Sequence, residues 1–168
     1  MEEWDIYDSE RNLTGRTGYR GDRLSEGDYH LVVFVIIRNS GGKYIISKRS
    51  VEKTFPNTWE VTGGSAIKGD TSLSAARREV KEELGIELSG EGELLKTIKT
   101  DSECSNFIDV WFFEQDVLEE DIACQVEEVS DAKIVDMMVI DKLFEEGVFM
   151  PGHPFVYKSI KEKHLCHS

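Results

Sequence analysis

The sequence predicts an α/β fold, an α/β/α sandwich in which a mixed sheet lies between helices, and three observations carry that reading.

 The run at residues 29–38, YHLVVFVIIR, is almost continuously apolar and rich in β-branched residues, as a strand covered on both faces must be. Residues 72–84 carry Leu73, Ala76, Val80 and Leu84 on one arc at about 100° per residue, a stripe suited to packing against a sheet. A second amphipathic stretch at 139–147, VIDKLFEEG, supplies a helix for the opposite face. The 168 residues suffice for one domain with a substantial core. Residues 1–28 read as an N-terminal hairpin extension, 29–147 as the core and 148–168 as a helical tail.

Taken in order, Trp4-Asp5-Ile6-Tyr7 is strand-like, 8–12 is rich in turn formers, and Leu13 leads to Gly15 and Gly18, which makes a hairpin. Arg20-Gly21-Asp22-Arg23 is a polar loop, for which a solvated connection is the commoner reading and a binding role the alternative. After the apolar run, Asn39-Ser40-Gly41-Gly42 turns the chain and 43–49 returns as a strand, so these two strands are expected to pair as a hairpin. In 55–64, FPNTWEVTGG, Pro56-Asn57 turns, 59–62 forms a short strand anchored by Trp59, and the paired glycines allow close backbone approach. Two further strands follow at 93–100 and 106–116, the second alternating around Asp109. Residues 117–128 form an acidic loop with Glu119, Glu120 and Asp121 in solvent. A last strand spans 131–135. Met150 to Pro154 breaks the second helix, and a final helix at 155–165 is expected to bury Phe155, Ile160 and Leu165. There is no internal repeat and no low-complexity segment.

The chemistry is concentrated in residues 64–86, GSAIKGDTSLSAARREVKEELGI. Glu79, Glu82 and Glu83 are three and four residues apart on the arc beside the apolar stripe, where like charges repel. A hard divalent cation such as Mg²⁺ or Mn²⁺, which takes oxygen ligands, would relieve that repulsion. Arg78 can orient one glutamate through paired hydrogen bonds. Asp70 or Thr71 can cap the helix start, and Gly85 can end it in the left-handed conformation. A solvated acidic face is the commoner origin of a string like EVKEE. The glycine pair, the fixed gap to the helix and the terminal Gly85-Ile86 set this one apart.

The stretch resembles the Nudix box, with Gly64, Asp70, Arg78, Glu79, Val80, Glu82, Glu83, Gly85 and Ile86 on its fixed positions. Asp70 departs from the pattern, standing where that family has glutamate. The resemblance, to the MutT-like hydrolases, implies metal-dependent attack of water on phosphorus in a nucleoside diphosphate linked to another group, or in a related small diphosphate. It implies Glu79, Glu82 and Glu83 as metal ligands, the Gly64 carbonyl as an additional one, and Arg78 as the group that holds Glu79. It also implies that Glu127 or Glu128 adds a ligand or base, and the base itself stays open among Glu79, Glu82, Glu127 and Glu128. Asp109 is a further candidate from its strand, with an exposed strand carboxylate the equal alternative, and Lys48 and Arg49 are candidates for substrate phosphate or for the surface. His30 and the opening segment resemble the isopentenyl diphosphate isomerase branch of the same fold. That branch carries a cysteine and a histidine where Gly63 and Ser65 stand here, so isomerase is the second reading and a non-catalytic nucleotide sensor the third.

A net charge of −13 argues against a nucleic acid polymer or an anionic membrane as partner, and leaves room for a small anion carried by a metal. Cys104, Cys124 and Cys166 have no metal-type spacing and read as reduced thiols of a cytoplasmic protein. The acidic start, MEEWDIYDSE, does not read as an export signal, and no apolar stretch reads as a membrane span. Oligomeric state stays open, with a homodimer the arrangement common in the resembled family.

Overall fold

The computed structural model describes residues 1–167. The elements run β1 (Glu3–Tyr7), β2 (Leu13–Tyr19), β3 (His30–Arg38), β4 (Tyr44–Arg49), β5 (Trp59–Glu60), β6 (Thr62–Ser65), α1 (Ser72–Leu84), β7 (Glu93–Thr100), β8 (Asn106–Glu114), β9 (Val129–Val135), α2 (Met137–Glu145) and α3 (Pro154–Leu165), with one 3₁₀ turn at Glu119–Asp121. β1 and β2 form a separate antiparallel ribbon. The other strands make one mixed sheet ordered β5-β4-β3-β8-β7, to which β6 adds beside β3 and β9 beside β4.

β3 organises the sheet because both of its faces are apolar. Leu31, Val33, Val35 and Ile37 pack with Ala75, Ala76, Val80 and Leu84 of α1. Phe34 and Ile36 point the other way, into a second core with Met137 and Ile140 of α2 and Val156 and Ile160 of α3. Alternation along a strand sends successive side chains to opposite faces, and here each face has its own helical cover, which makes the sandwich. Burying Val80 and Leu84 alone is worth about 1.5–3 kcal/mol each.

Two expectations need correction. β3 and β4 do not run on as a hairpin: the turn closes through Asn39 N–H to the Lys43 carbonyl at 2.8 Å, but the strands share only the Arg38–Tyr44 pair. Beyond it β8 lies parallel along the whole of β3, and β6 takes the other edge at Val32 to Val35. β6 can lie that close because its two central residues are glycine; a Cβ on Gly63 would sit 2.3 Å from Phe34 Cδ1. β4 turns away to pair with β9 and β5. In α3 the buried residues are Val156, Ser159 and Ile160, while Phe155 is half-buried and Leu165 is 63% exposed. Val156 and Ile160 are four apart on the inward face, and Leu165, five beyond Ile160, has rotated off it.

α1 starts at a capping box: Thr71 Oγ1 accepts from Ser74 N–H at 3.1 Å, and Thr71 N–H donates to Ser74 Oγ at 2.9 Å. Gly85, at φ 68°, ends it in the left-handed region. The ribbon is tied to this helix from outside. Arg11 donates to Asp109 Oδ1 and Oδ2 at 2.8 and 2.5 Å, and Asp109 also accepts from Ser72 Oγ at 2.5 Å and Thr97 Oγ1 at 2.7 Å. The Lys68 amide donates to the Glu3 carbonyl, and the Gly69 amide to Asp5 Oδ2, both at 2.8 Å. No described helix is long and apolar enough to cross a membrane. Cys104, Cys124 and Cys166 are all free.

Candidate active site

β6 delivers the chain into the 66–70 loop and then into α1, so the edge of the sheet and one face of the helix converge. Between them opens a pocket of about 260 Å³. Glu79, Glu82 and Glu83 enter it from α1, and Glu60, Glu128 and Glu2 from β5, the end of the acidic loop and the start of the chain. Against these six carboxylates the lining has three cations, Arg20, Arg49 and Lys53.

Each carboxylate is held differently. Arg78 donates from Nη1 to Glu79 Oε1 at 2.9 Å and to Glu82 Oε2 at 3.1 Å, from Nη2 to the Ser65 carbonyl at 3.0 Å, and from Nε and Nη2 to Asp70 Oδ2 at 3.1 and 2.9 Å. Despite its shorter side chain, then, Asp70 reaches the box arginine; it also accepts from the Ile67 amide at 3.1 Å, which folds the loop back toward α1. Burial pushes Glu79 above the ordinary carboxylate range, opposed by Arg78 and assisted by Glu82 and Glu2. Gly64 lies against its carboxylate, where a Cβ would be 2.3 Å from the Glu79 carboxyl carbon.

Glu83 is the most perturbed of the set. It is 3% exposed, Oε2 has no hydrogen-bond partner, and its pKa is pushed to about 8 by burial and by Glu60, Glu79 and Glu128. Lys53, with Nζ 3.8 Å from Oε1, opposes the shift only in part. The same ammonium pairs with Glu128 and holds that carboxyl below its usual range against the effect of burial. Glu60 is raised by burial although Arg49 Nη1 donates to it at 2.7 Å.

Clustered oxygen donors, with Glu60 and Glu83 buried and too few cations beside them, fit a hard divalent ion, and the orphan Oε2 of Glu83 is an acceptor still to be matched. Among the described residues no three acidic side chains converge on one ion position as they stand. Arg78 holds Glu79 and Glu82 through one oxygen of each, and Lys53 lies between Glu83 and Glu128, so an ion would enter by displacing Lys53 from Glu83.

A model of the NUDIX domain matches residues 28–152. The chain belongs to the Nudix family. Members of this family are pyrophosphohydrolases. An uncharacterized Nudix hydrolase of Listeria monocytogenes is 43% identical over 153 residues, covering 90% of this chain and 89% of the relative. One from Listeria innocua is 42% identical over the same shares. A crystal structure from Deinococcus radiodurans superposes with a TM-score of 0.74 over 96% of this chain and 98% of that one, at 24% identity. The NUDIX domain of Shewanella oneidensis NrtR, solved with ADP ribose, gives 0.67 over 87% and 94% at 15% identity. At these identities the two structures speak to the fold.

The Nudix pocket takes in Gly64, Glu79, Glu82, Glu83, Arg49 and Glu128 of the residues singled out in the sequence, with Arg78 behind the glutamates. Four others are elsewhere. Asp109 is wholly buried in the ion pair with Arg11, neither lining the pocket nor exposed. Glu127 is exposed, and only its carbonyl is engaged, by Ser50 Oγ at 2.7 Å. Lys48 lies over the Trp59 ring, Nζ 5.9 Å from its centroid, because neighbouring strand residues face opposite ways and Arg49 takes the inward position. His30 is packed outside the pocket, stacked on Trp4 at 4.3 Å, with burial lowering its pKa to about 4. Sequence reasoning missed Lys53, Glu60 and Glu2, and had Arg20 only in a polar loop with binding as its second reading. Alternation from Trp59 was a signal for Glu60; the other three depend on loop and ribbon placement.

Proposed function

We propose that this Nudix chain hydrolyses the diphosphate bond of a nucleoside diphosphate linked to another group, or of a related small diphosphate, by attack of water on phosphorus with Mg²⁺ or Mn²⁺ bound. The observation that carries the reading is the partly buried, cation-poor glutamate cluster, in which the buried Glu83 keeps an unpartnered oxygen. Glu79, Glu82 and Glu83 would hold the metal, with the Gly64 carbonyl beside Glu79 as an additional donor. A bound divalent ion lowers the pKa of coordinated water and offsets the charge of the diphosphate. Arg78 fixes Glu79 and Glu82, so the two carboxylates are oriented before an ion arrives. Glu128, held ionised by Lys53 across the pocket, is the best placed of the candidate bases to accept the proton of the attacking water. Arg49 and Lys53, which line the same pocket, supply positive charge for phosphate oxygens. Three free cysteines suit a cytoplasmic setting.

Isomerase chemistry is disfavoured, since the glycine at 63 has no room for a thiol against Phe34. The test is turnover of a panel of ADP-ribose, NADH, nucleoside diphosphate sugars and nucleoside di- and triphosphates with Mg²⁺ or Mn²⁺, beside Glu83→Gln. Metal-dependent release of phosphate products by the wild type and its loss in a folded Glu83→Gln is the expected result. Near-normal turnover in that variant would overturn the metal assignment, and binding of a panel member without cleavage would favour a sensor.

A further inference from the structure

The β1–β2 ribbon lies outside the 28–152 stretch matched by the family, yet it contributes Glu2 and Arg20 to the pocket wall. Its position is fixed. The ribbon is fastened to the glycine loop through Lys68 and Gly69, and to the start of α1 through Arg11, Asp109 and Ser72. Arg20 follows directly on β2, and its amide donates to the Glu2 carbonyl at 3.0 Å, which holds the ends of the ribbon together at the pocket. Its guanidinium is therefore presented by an anchored element rather than a free loop.

The cations of the pocket differ in how far they are already committed. Arg49 spends Nη1 on Glu60, Nε on the Thr54 carbonyl and Nη2 on Thr54 Oγ1. Lys53 lies between Glu83 and Glu128. Arg20 has one side-chain contact among the described residues, Nη1 to Glu2 Oε2 at 3.2 Å, in a pair whose members are 60% and 44% exposed. Exposed pairs of this kind contribute little and exchange readily. A phosphate offers the same guanidinium paired, charge-assisted acceptors, which Glu2 is not using it for now.

Resting on the diphosphate reading of this pocket, we infer that Arg20 binds a phosphate of the substrate, exchanging Glu2 for the phosphate oxygens, so that the N-terminal ribbon is part of the substrate site. Arg20 is a substrate-binding residue and takes no part in the chemical step. Its effect falls on KM.

The experiment compares wild type with Arg20→Ala and Arg20→Lys, and with Arg23→Ala, which removes an equal charge from an exposed pair with Glu103 away from the pocket. The readouts are kcat and KM on the best substrate of the panel, thermal melting to confirm folding, and calorimetric binding of inorganic pyrophosphate. Arg20→Ala is expected to raise KM about 10- to 100-fold, the equivalent of a charge-assisted hydrogen bond or two. It should change kcat less than about threefold, with Arg20→Lys intermediate, pyrophosphate affinity lowered in parallel and Arg23→Ala like wild type. An unchanged KM in Arg20→Ala, or an equal rise in Arg23→Ala, would overturn the inference. If the wild type cleaves nothing, the diphosphatase reading fails by itself, and pyrophosphate binding still decides Arg20: equal affinity in wild type and Arg20→Ala counts against it.

Discussion

Arg11→Ala isolates the fastening between the ribbon and α1. Asp109 has no exposed side-chain surface, and its four-way set of contacts includes two bonds from a guanidinium that is 31% exposed. Removing one member of a buried ion pair costs about 3–5 kcal/mol. The partial exposure of Arg11 and the surviving donors Ser72 and Thr97 reduce this to about 2–3 kcal/mol. The pH dependence gives a second handle. In the wild type, burial works to raise the Asp109 pKa, but Arg11, Ser72 and Thr97 hold it below the usual value. That contribution to stability is present above the unfolded pKa and lost as pH falls through the folded one. Without Arg11, burial dominates and the folded pKa rises, so the variant recovers stability as the carboxyl takes up a proton. Urea denaturation at about pH 7.5 and about pH 5 should therefore show a deficit that narrows on acidification. Arg11→Ala/Asp109→Asn should regain a good part of the loss at the higher pH, because a neutral amide needs no counter-charge. A deficit below about 0.5 kcal/mol at both pH values, or one that widens on acidification, would refute the reasoning.

Two further outcomes follow from the geometry. Gly64→Ala would place a Cβ within 2.5 Å of both Glu79 carboxylate oxygens and drive that side chain off Arg78; turnover should fall about 100-fold while a melting curve shows the fold retained. His30, with a folded pKa of about 4 against an ordinary value near 6.5, is buried neutral, so the unfolded chain binds the proton first. Stability should therefore decline as pH falls through that window by about 3 kcal/mol, measured by urea denaturation, and His30→Phe should flatten the decline.

The elements most visible in the sequence were those whose signals are local. The apolar run of β3, the capped and glycine-terminated α1 and the turn of the N-terminal hairpin each depend on residues within a few positions of one another. The parting of β3 from β4 was not visible, because it is decided by β6 and β8 competing for the edges of β3 from far along the chain. Asp109 was misplaced for the same reason: its partner, Arg11, lies at the other end of the sequence. In the site, the box glutamates could be read from helical spacing, and Arg49 could have been separated from Lys48 by strand alternation. Lys53 could not, since nothing in a Ser/Thr-rich loop indicates that it will reach two glutamates.

The long parallel pairing of β3 with β8 also bears on how the chain is made. At about 5–20 residues per second, a ribosome completes the apolar run of β3 several seconds before β8 has emerged. Until then one edge of the most β-prone segment in the protein is open, and pairing across so large a loop is slow even once both strands exist. The nascent chain thus passes through an interval in which this run can associate with other chains, and expression yield should respond more to events in that interval than to the stability of the finished fold.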